Sequence, residues 1–203
     1  IILSIGVLIS RLFIFLFRAV SARELSLEEY GLLALFISVY SNLIIFSRFE
    51  MNNTLAHWIA KRESRDEDIG RIFFNGMVSI IPTITLSIAI FWAVLYEHNI
   101  LDYVTAILSA GMFISCSILN HNVGVLKGLN KFKEASFLNS IIGILRFSIV
   151  ILLFYVIGER SLDTAMYSFY ISLIIPTFFS LWICLKEIRF ELILDLELIK
   201  KLY

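Results

Sequence analysis

Five ionisable side chains interrupt long apolar runs in this sequence, and they are its best candidates for chemistry. Four are arginines, Arg11, Arg18, Arg48 and Arg146, and the fifth is Glu50. A guanidinium keeps its charge in proteins and offers a planar fork that matches a phosphate or a carboxylate. An arginine at the centre of a membrane costs about 2.5–3.5 kcal/mol, so it needs a partner, water or a ligand. An anionic ligand such as a phosphate or pyrophosphate is therefore the functional interpretation.

Structural roles are the alternative interpretation of the same residues. Arg18 and Arg48 are placed where a long side chain can reach the headgroup region of a membrane. Glu50 can pair locally with Arg48, or form a structural ion pair with Arg146. Both interpretations stay open at the level of the sequence.

The spacing of polar and small residues predicts where these side chains lie on helices. Arg11 and Arg18 are seven residues apart, which places them on one face of a helix. Two further segments carry stripes with helical spacing: Ser136, Asn139, Gly143 and Arg146; and Glu50, Asn53, Thr54, His57 and Lys61. Three helices with one polar face each are most simply arranged around an aqueous cleft.

The elements that position these residues follow from the composition. The chain has 203 residues, of which 59% are hydrophobic and 17% charged. Soluble domains have about 25% charged residues, and one core of this size could not bury so much apolar surface. We therefore expect an integral membrane protein in contact with lipid. The formal net charge of zero argues against a nucleic-acid partner, which would require a basic excess.

No pattern in the sequence indicates an enzyme, a metal site or a cofactor. Cys116 and Cys184 both lie in apolar runs, and the three histidines show no ligand spacing. Phosphate-binding loops, nucleophile elbows and zinc-protease motifs are absent from the sequence. We expect a protein that acts without catalysis, without a metal and without a cofactor.

Hydropathy predicts an all-α bundle of six membrane-spanning helices. A span needs about 20 mainly apolar residues. The predicted spans are 1–22, 30–60 (with the apolar part ending near 48), 72–96, 103–126, 134–157 and 164–186. Helix-start signals precede four of them: capping boxes at 26–29 and 64–67, and N-cap candidates at Asp102 and at Ser161 or Asp163.

The distribution of positive charge predicts the orientation of the bundle. Lysines and arginines concentrate in alternate joints: Lys61, Arg62, Arg65 and Arg71; Lys127, Lys131 and Lys133; and Lys186, Arg189, Lys200 and Lys201. The opposite joints contain Arg23 and Arg160. Positive joints stay in the cytoplasm, so both ends of the sequence are expected there. Residues 187–203 are expected to form an interfacial cytoplasmic segment that leads to a further span, and a surface tail without a role is the alternative.

Three stretches resemble a known family. ARELSLEEYG at 22–31 is similar to an AR-x-L-x-x-x-x-YG segment of polysaccharide and O-antigen flippases. LKGLNKFK at 126–133, followed by Asn139 and Arg146, is similar to their joint between spans four and five. DLELIKKL at 195–202 is similar to the stretch before their seventh span. These flippases belong to the multidrug/oligosaccharidyl-lipid/polysaccharide exporter superfamily.

The resemblance implies both an architecture and an activity. It implies a MATE-like transporter of two six-helix lobes, of which this sequence is the N-terminal one and the second lobe of the same polypeptide is missing. It also implies flipping, by alternating access, of an anionic polyprenyl-pyrophosphate-linked oligosaccharide across the cytoplasmic membrane for surface polysaccharide biosynthesis. On this view Arg11, Arg18, Arg48 and Arg146 contact the pyrophosphate. At 48–50 the sequence Arg-Phe-Glu replaces the small glycine-rich turn that is common in the family.

Two other classes of protein remain as alternatives. A cation-coupled multidrug or small-molecule antiporter of the same superfamily would need a buried carboxylate, and only Glu50 is available. A membrane-embedded glycan enzyme would be expected to carry a long outer loop with acid and base residues, and the joints here are short.

Overall fold

The computed structural model describes residues 2–48, 51–63, 69–188, 193–195 and 199, and its regular structure is entirely helical within them. The helices are α1 (Ile2–Glu24), α2 (Leu27–Arg48), α3 (Met51–Glu63), α4 (Ile69–Ser79), α5 (Ile81–Glu97), α6 (Tyr103–Gly128), α7 (Phe132–Ile151) and α8 (Leu162–Glu187). Helix α7 continues into a π-helix, Leu152–Ile157, which ends at the left-handed residue Gly158.

Six helical segments are long and apolar enough to cross a membrane. They are Ile2–Glu24, Leu27–Phe46, Ile69–Glu97, Tyr103–Gly128, Phe132–Ile157 and Leu162–Glu187. The predicted all-α bundle of six membrane spans is therefore confirmed. The stretch 30–60, predicted as one span with a polar extension, falls into two helices, α2 and α3.

Several predicted helix starts have the expected hydrogen bonds. The Ser26 hydroxyl accepts from the Glu29 amide at 3.2 Å, and the Glu29 carboxylate accepts from the Ser26 amide at 3.0 Å. Asp102 caps α6 by accepting from the Thr105 amide at 2.7 Å. Ser161 caps α8. These side chains satisfy amides that have no partner inside the helix. The second predicted capping box, 64–67, lies outside the described residues.

An aromatic cluster joins the helices in the centre of the bundle. Phe36 of α2 makes edge contacts with Phe91, Phe169 and Tyr170, with ring centroids 5.2, 5.9 and 6.0 Å apart. Lipid tails are as apolar as these side chains, so tight van der Waals contact is what favours helix association in a membrane. Phe169 also forms one wall of the cavity described below.

The described part of the predicted interfacial segment contacts α4. The side-chain amide of Asn75 donates to the Ile193 carbonyl at 2.8 Å and accepts from the Asp195 backbone amide at 2.7 Å. Arg71 forms an ion pair with Asp195 at 2.7 Å. Residues 193–195 are thus attached to α4. The cytoplasmic location of this segment remains a prediction.

Candidate ligand cavity

Helix α1 carries two of the predicted arginines on one face. Arg11 and Arg18 are separated by seven residues, about two helical turns. Both side chains are exposed, and both line the same cavity together with Ser10 of the same helix. The predicted shared face of α1 is present.

Helix α7 supplies the third arginine, which is buried. The Arg146 side chain is 5% exposed. Its Nε donates to the Ser172 hydroxyl of α8 at 3.2 Å, and its guanidinium carbon lies 3.5 Å from the centre of the Phe169 ring. Both partners are neutral, so they orient the guanidinium without cancelling its charge. Asn139, seven residues earlier on α7, lines the same cavity.

Close packing of α1 against α7 brings these two faces together. A side chain at Gly143 would overlap the backbone of Ser10, and one at Gly6 would overlap Ser136. The hydroxyls of Ser136 and Ser140 donate to the carbonyls of Ile2 and Gly6 at 2.8 and 3.2 Å. Small residues and hydroxyls at a helix contact are typical of membrane bundles, because they let backbones approach closely.

The cavity between these helices has a volume of about 500 Å³ and is called here the arginine cavity. Its volume is within the range of small-molecule sites, which is about 300–1,000 Å³. Besides Arg11, Arg18, Arg146, Asn139 and Ser10, its polar lining comprises Tyr40, Ser41 and Asn120. The remaining walls are mostly aliphatic and aromatic side chains of α1, α2, α6, α7 and α8. A charged group bound here would exchange water for guanidinium and hydroxyl donors.

No carboxylate neutralises this cavity within the part of the chain that the structure describes. Its described lining contains no Asp or Glu, and no described carboxylate forms an ion pair with Arg11, Arg18 or Arg146. The site therefore carries an excess of fixed positive charge in an apolar surrounding. Such a site favours an anion.

Two of the six predicted site residues cannot be placed. Arg48 is the last residue of α2, but its side chain lies outside the described structure. Glu50 lies wholly outside it. A ligand contact for either residue, and the alternative pairing of Glu50 with Arg48 or Arg146, remain predictions.

The polar stripes predicted from the sequence are used differently in the structure. On α7, Asn139 and Arg146 line the cavity, whereas Ser136 and Gly143 pack against α1. Among the described residues of the 50–61 stripe, none lines the arginine cavity. Helix α2 contributes Tyr40 and Ser41 instead, because α3 begins a separate helix at Met51 and packs on α6.

Sequence reasoning did not identify the residues that hold Arg146. Phe169 and Ser172 lie on α8, in a segment that looks uniformly apolar apart from scattered serines and threonines. The only available signal was their spacing of three residues, which places both on one face of that helix.

The fold is that of half of a MATE-type membrane transporter. A MATE protein in complex with MaD5 has a TM-score of 0.76 and 14% identity, and the likeness covers 99% of this chain and 49% of that one. An outward-facing multidrug resistance MATE family transporter of the MOP superfamily has a TM-score of 0.73 at 17% identity, with the same coverage. A MOP superfamily transporter from Pyrococcus furiosus has a TM-score of 0.75 at 17% identity, again covering 99% and 49%. This chain thus spans about half the length of these structures.

The sequence match is more specific than the fold. Residues 1–203 match the family described as polysaccharide biosynthesis protein, and the chain belongs to that family. A comparison with curated proteins finds no significant match. The fold is the one that these transporters share, and the chain is a multi-pass membrane protein with six helices long and apolar enough to cross a membrane.

Proposed function

We propose that this chain is one lobe of a transporter that flips a polyprenyl-pyrophosphate-linked oligosaccharide across the cytoplasmic membrane for surface polysaccharide biosynthesis. The observation that carries the proposal is the arginine cavity, with three guanidinium groups and no described carboxylate. Family membership supports a role in polysaccharide biosynthesis. The fold supports transport, with a second lobe of the same polypeptide facing this one.

The physical task of such a transporter is to carry a charged, hydrated headgroup through a region of low dielectric constant. Loss of water from a phosphate is costly unless other donors replace it. Arg11, Arg18 and Arg146 would supply charge-assisted hydrogen bonds to the diphosphate, and Asn139 a neutral one. Arg48 and Glu50 complete the proposed ligand-binding residues. The prenyl tail would remain in contact with membrane lipid.

A rocking motion of the two lobes would change the side from which the cavity is open. We propose that both ends of this chain face the cytoplasm, because the positively charged joints then lie on that side. The lobe itself would move largely as one body, since α1 and α7 are held together by close backbone contact.

A cation-coupled drug antiporter is the competing function on this fold. Two of the similar structures bear on this alternative. One is a multidrug resistance transporter. The other has a binding pocket of reverse polarity, which suggests a different function for that protein. A cationic drug would meet three guanidinium groups in the described cavity of this chain. The positive charge of the site therefore favours an anionic ligand.

The test is to replace Arg146 with Ala in the full-length protein and to measure surface polysaccharide in cells that lack the native copy. Loss of a hydrogen bond to a charged group costs about 1.5–3 kcal/mol. We therefore expect export to fall by at least about tenfold. Arg160→Ala is the control, because Arg160 is a half-exposed arginine outside the cavity and outside the three stretches that resemble the family, and we expect normal export.

Normal polysaccharide with the Arg146→Ala variant at wild-type membrane levels would contradict the proposal for that residue. Loss of drug resistance together with unchanged polysaccharide would favour the antiporter.

A further inference from the structure

A second, smaller cavity adjoins the arginine cavity near the joint between α1 and α2. It has a volume of about 320 Å³ and is called here the side cavity. Arg18, Ile37 and Ser41 line both cavities, so the two spaces meet at these residues. The side cavity alone is lined by Tyr30, Ala34, Ser38 and Asn42.

The chemistry of the side cavity differs from that of the arginine cavity. Apart from Arg18 at the junction, its polar groups are neutral: the phenol of Tyr30, the hydroxyls of Ser38 and Ser41, and the carboxamide of Asn42. Ser38 lies eight positions after Tyr30, and Ser41 and Asn42 lie three and four positions after Ser38, so these residues share one face of α2.

The polar atoms of this face are available for a ligand. Asn42 donates one hydrogen bond, to the Ser38 carbonyl of its own helix at 3.0 Å. Within the described residues, its carboxamide oxygen and the hydroxyls of Tyr30, Ser38 and Ser41 form no hydrogen bond with the protein. Polar groups at membrane depth are costly without partners, so water or a ligand must satisfy them.

We infer that the side cavity binds the saccharide of the ligand, while the arginine cavity binds its diphosphate. A sugar presents many neutral hydroxyls and apolar ring faces, which suit serine, asparagine and an aromatic ring. Arg18 at the junction is placed to contact the phosphate that carries the first sugar. This inference rests on the proposed function. It adds the orientation of the bound ligand, whose saccharide points towards Tyr30.

The experiment compares two probes on the purified full-length protein. The first is undecaprenyl pyrophosphate, which has no sugar. The second is the lipid-linked saccharide extracted from cells in which the gene for this protein is deleted, where it should accumulate. Dissociation constants are measured for the wild type, for the double variant Ser38→Ala/Asn42→Ala, and for Arg146→Ala.

Removal of two neutral hydrogen bonds should weaken binding of the lipid-linked saccharide by about tenfold. Binding of undecaprenyl pyrophosphate should stay within about twofold of wild type, because Ser38 and Asn42 do not line the arginine cavity. Arg146→Ala should weaken both probes. Ser148→Ala, which removes an exposed hydroxyl of α7 outside both cavities, is the matched control and should change neither.

Every other outcome contradicts either the saccharide site or the proposed function. An equal effect of the double variant on both probes, or no effect on either, overturns the saccharide site and leaves the proposed function standing. No effect on either probe is the result expected if the other lobe fills the side cavity. Equal wild-type affinity for both probes also overturns the saccharide site. Failure of the wild type to bind either probe overturns the proposed function, and the saccharide site with it.

Discussion

At the scale of single residues, Arg146 shows how neutral partners hold a charged group in an apolar bundle within the described part of the chain. Its guanidinium lies over the Phe169 ring, and its Nε donates to the Ser172 hydroxyl. A cation over an aromatic face is attracted by the ring quadrupole, and neither the ring nor the hydroxyl carries a charge that would cancel that of the guanidinium. A carboxylate partner would have removed the charge that the proposed ligand needs.

The Ser172 contact can be tested through stability. Ser172→Ala leaves the buried Nε of Arg146 without its described partner, and hydrogen bonds between helices in membranes are worth about 0.6–2 kcal/mol. We expect the free energy of unfolding of the full-length protein in detergent to fall by about this amount. Ser168→Ala is the control, because Ser168 is equally buried and its hydroxyl bonds, within the described part of the chain, to the Ala165 carbonyl of its own helix. Equal destabilisation by both variants would mean that the Arg146 contact contributes nothing.

At the scale of helices, the pairing of α1 with α7 decides the geometry of the arginine cavity. Arg11 and Arg18 belong to one helix and Arg146 to the other, and more than 120 residues of sequence separate them. Gly6 and Gly143 set the distance between these helices. At each of these positions the other helix occupies the space that a Cβ atom would need. A shift of either helix would move guanidinium groups relative to one another.

Gly143→Ala should therefore destabilise the protein although alanine is the better helix former. The added methyl group would overlap the Ser10 backbone, and overpacking of this kind costs about 1–3 kcal/mol. Gly111→Ala in α6 is the matched control, since a Cβ there meets nothing within 4 Å. We expect the control to be neutral or stabilising by up to about 1 kcal/mol. Thermal unfolding of both variants makes the comparison, and an unchanged melting temperature for Gly143→Ala would show that α1 and α7 do not pack this closely.

At the scale of the whole molecule, the segment after α8 is fastened to α4, far from it in sequence. The Asn75 side chain donates to the Ile193 carbonyl and accepts from the Asp195 amide, as the backbone of a neighbouring strand would. Arg71 forms an ion pair with the Asp195 carboxylate. Asn75 is fully buried, which protects these hydrogen bonds from water. The segment that follows the sixth span is thereby attached to the third span.

Asn75→Ala should release this attachment. The Asp195 amide would lose its acceptor, and a neutral hydrogen bond is worth about 0.5–1.5 kcal/mol. We expect amide hydrogen exchange at Asp195 to become about threefold to tenfold faster in the full-length protein. Asn120→Ala is the control, because among the described residues the Asn120 amide group bonds to Cys116 of its own helix. An unchanged exchange rate at Asp195 would show that Asn75 does not hold it.

The sequence by itself determined the elements and the inventory of charges. The six spans follow from runs of apolar residues, and the starts of α2, α6 and α8 from Ser26, Asp102 and Ser161, each of which acts within its own first turn. The rarity of arginine in membrane segments was enough to select Arg11, Arg18 and Arg146 as candidates. All of these signals are local, since hydropathy and capping depend on residues that are neighbours in the chain.

Only the tertiary structure decided which helix faces meet. It separated Asn139 and Arg146, which line the cavity, from Ser136 and Gly143 of the same stripe, which pack on α1. It also assigned Phe169 and Ser172 to Arg146 and opened a neutral side cavity beside Arg18. Helical spacing defines a face but not its neighbour, because the neighbour is chosen by the fit of surfaces that lie far apart in sequence.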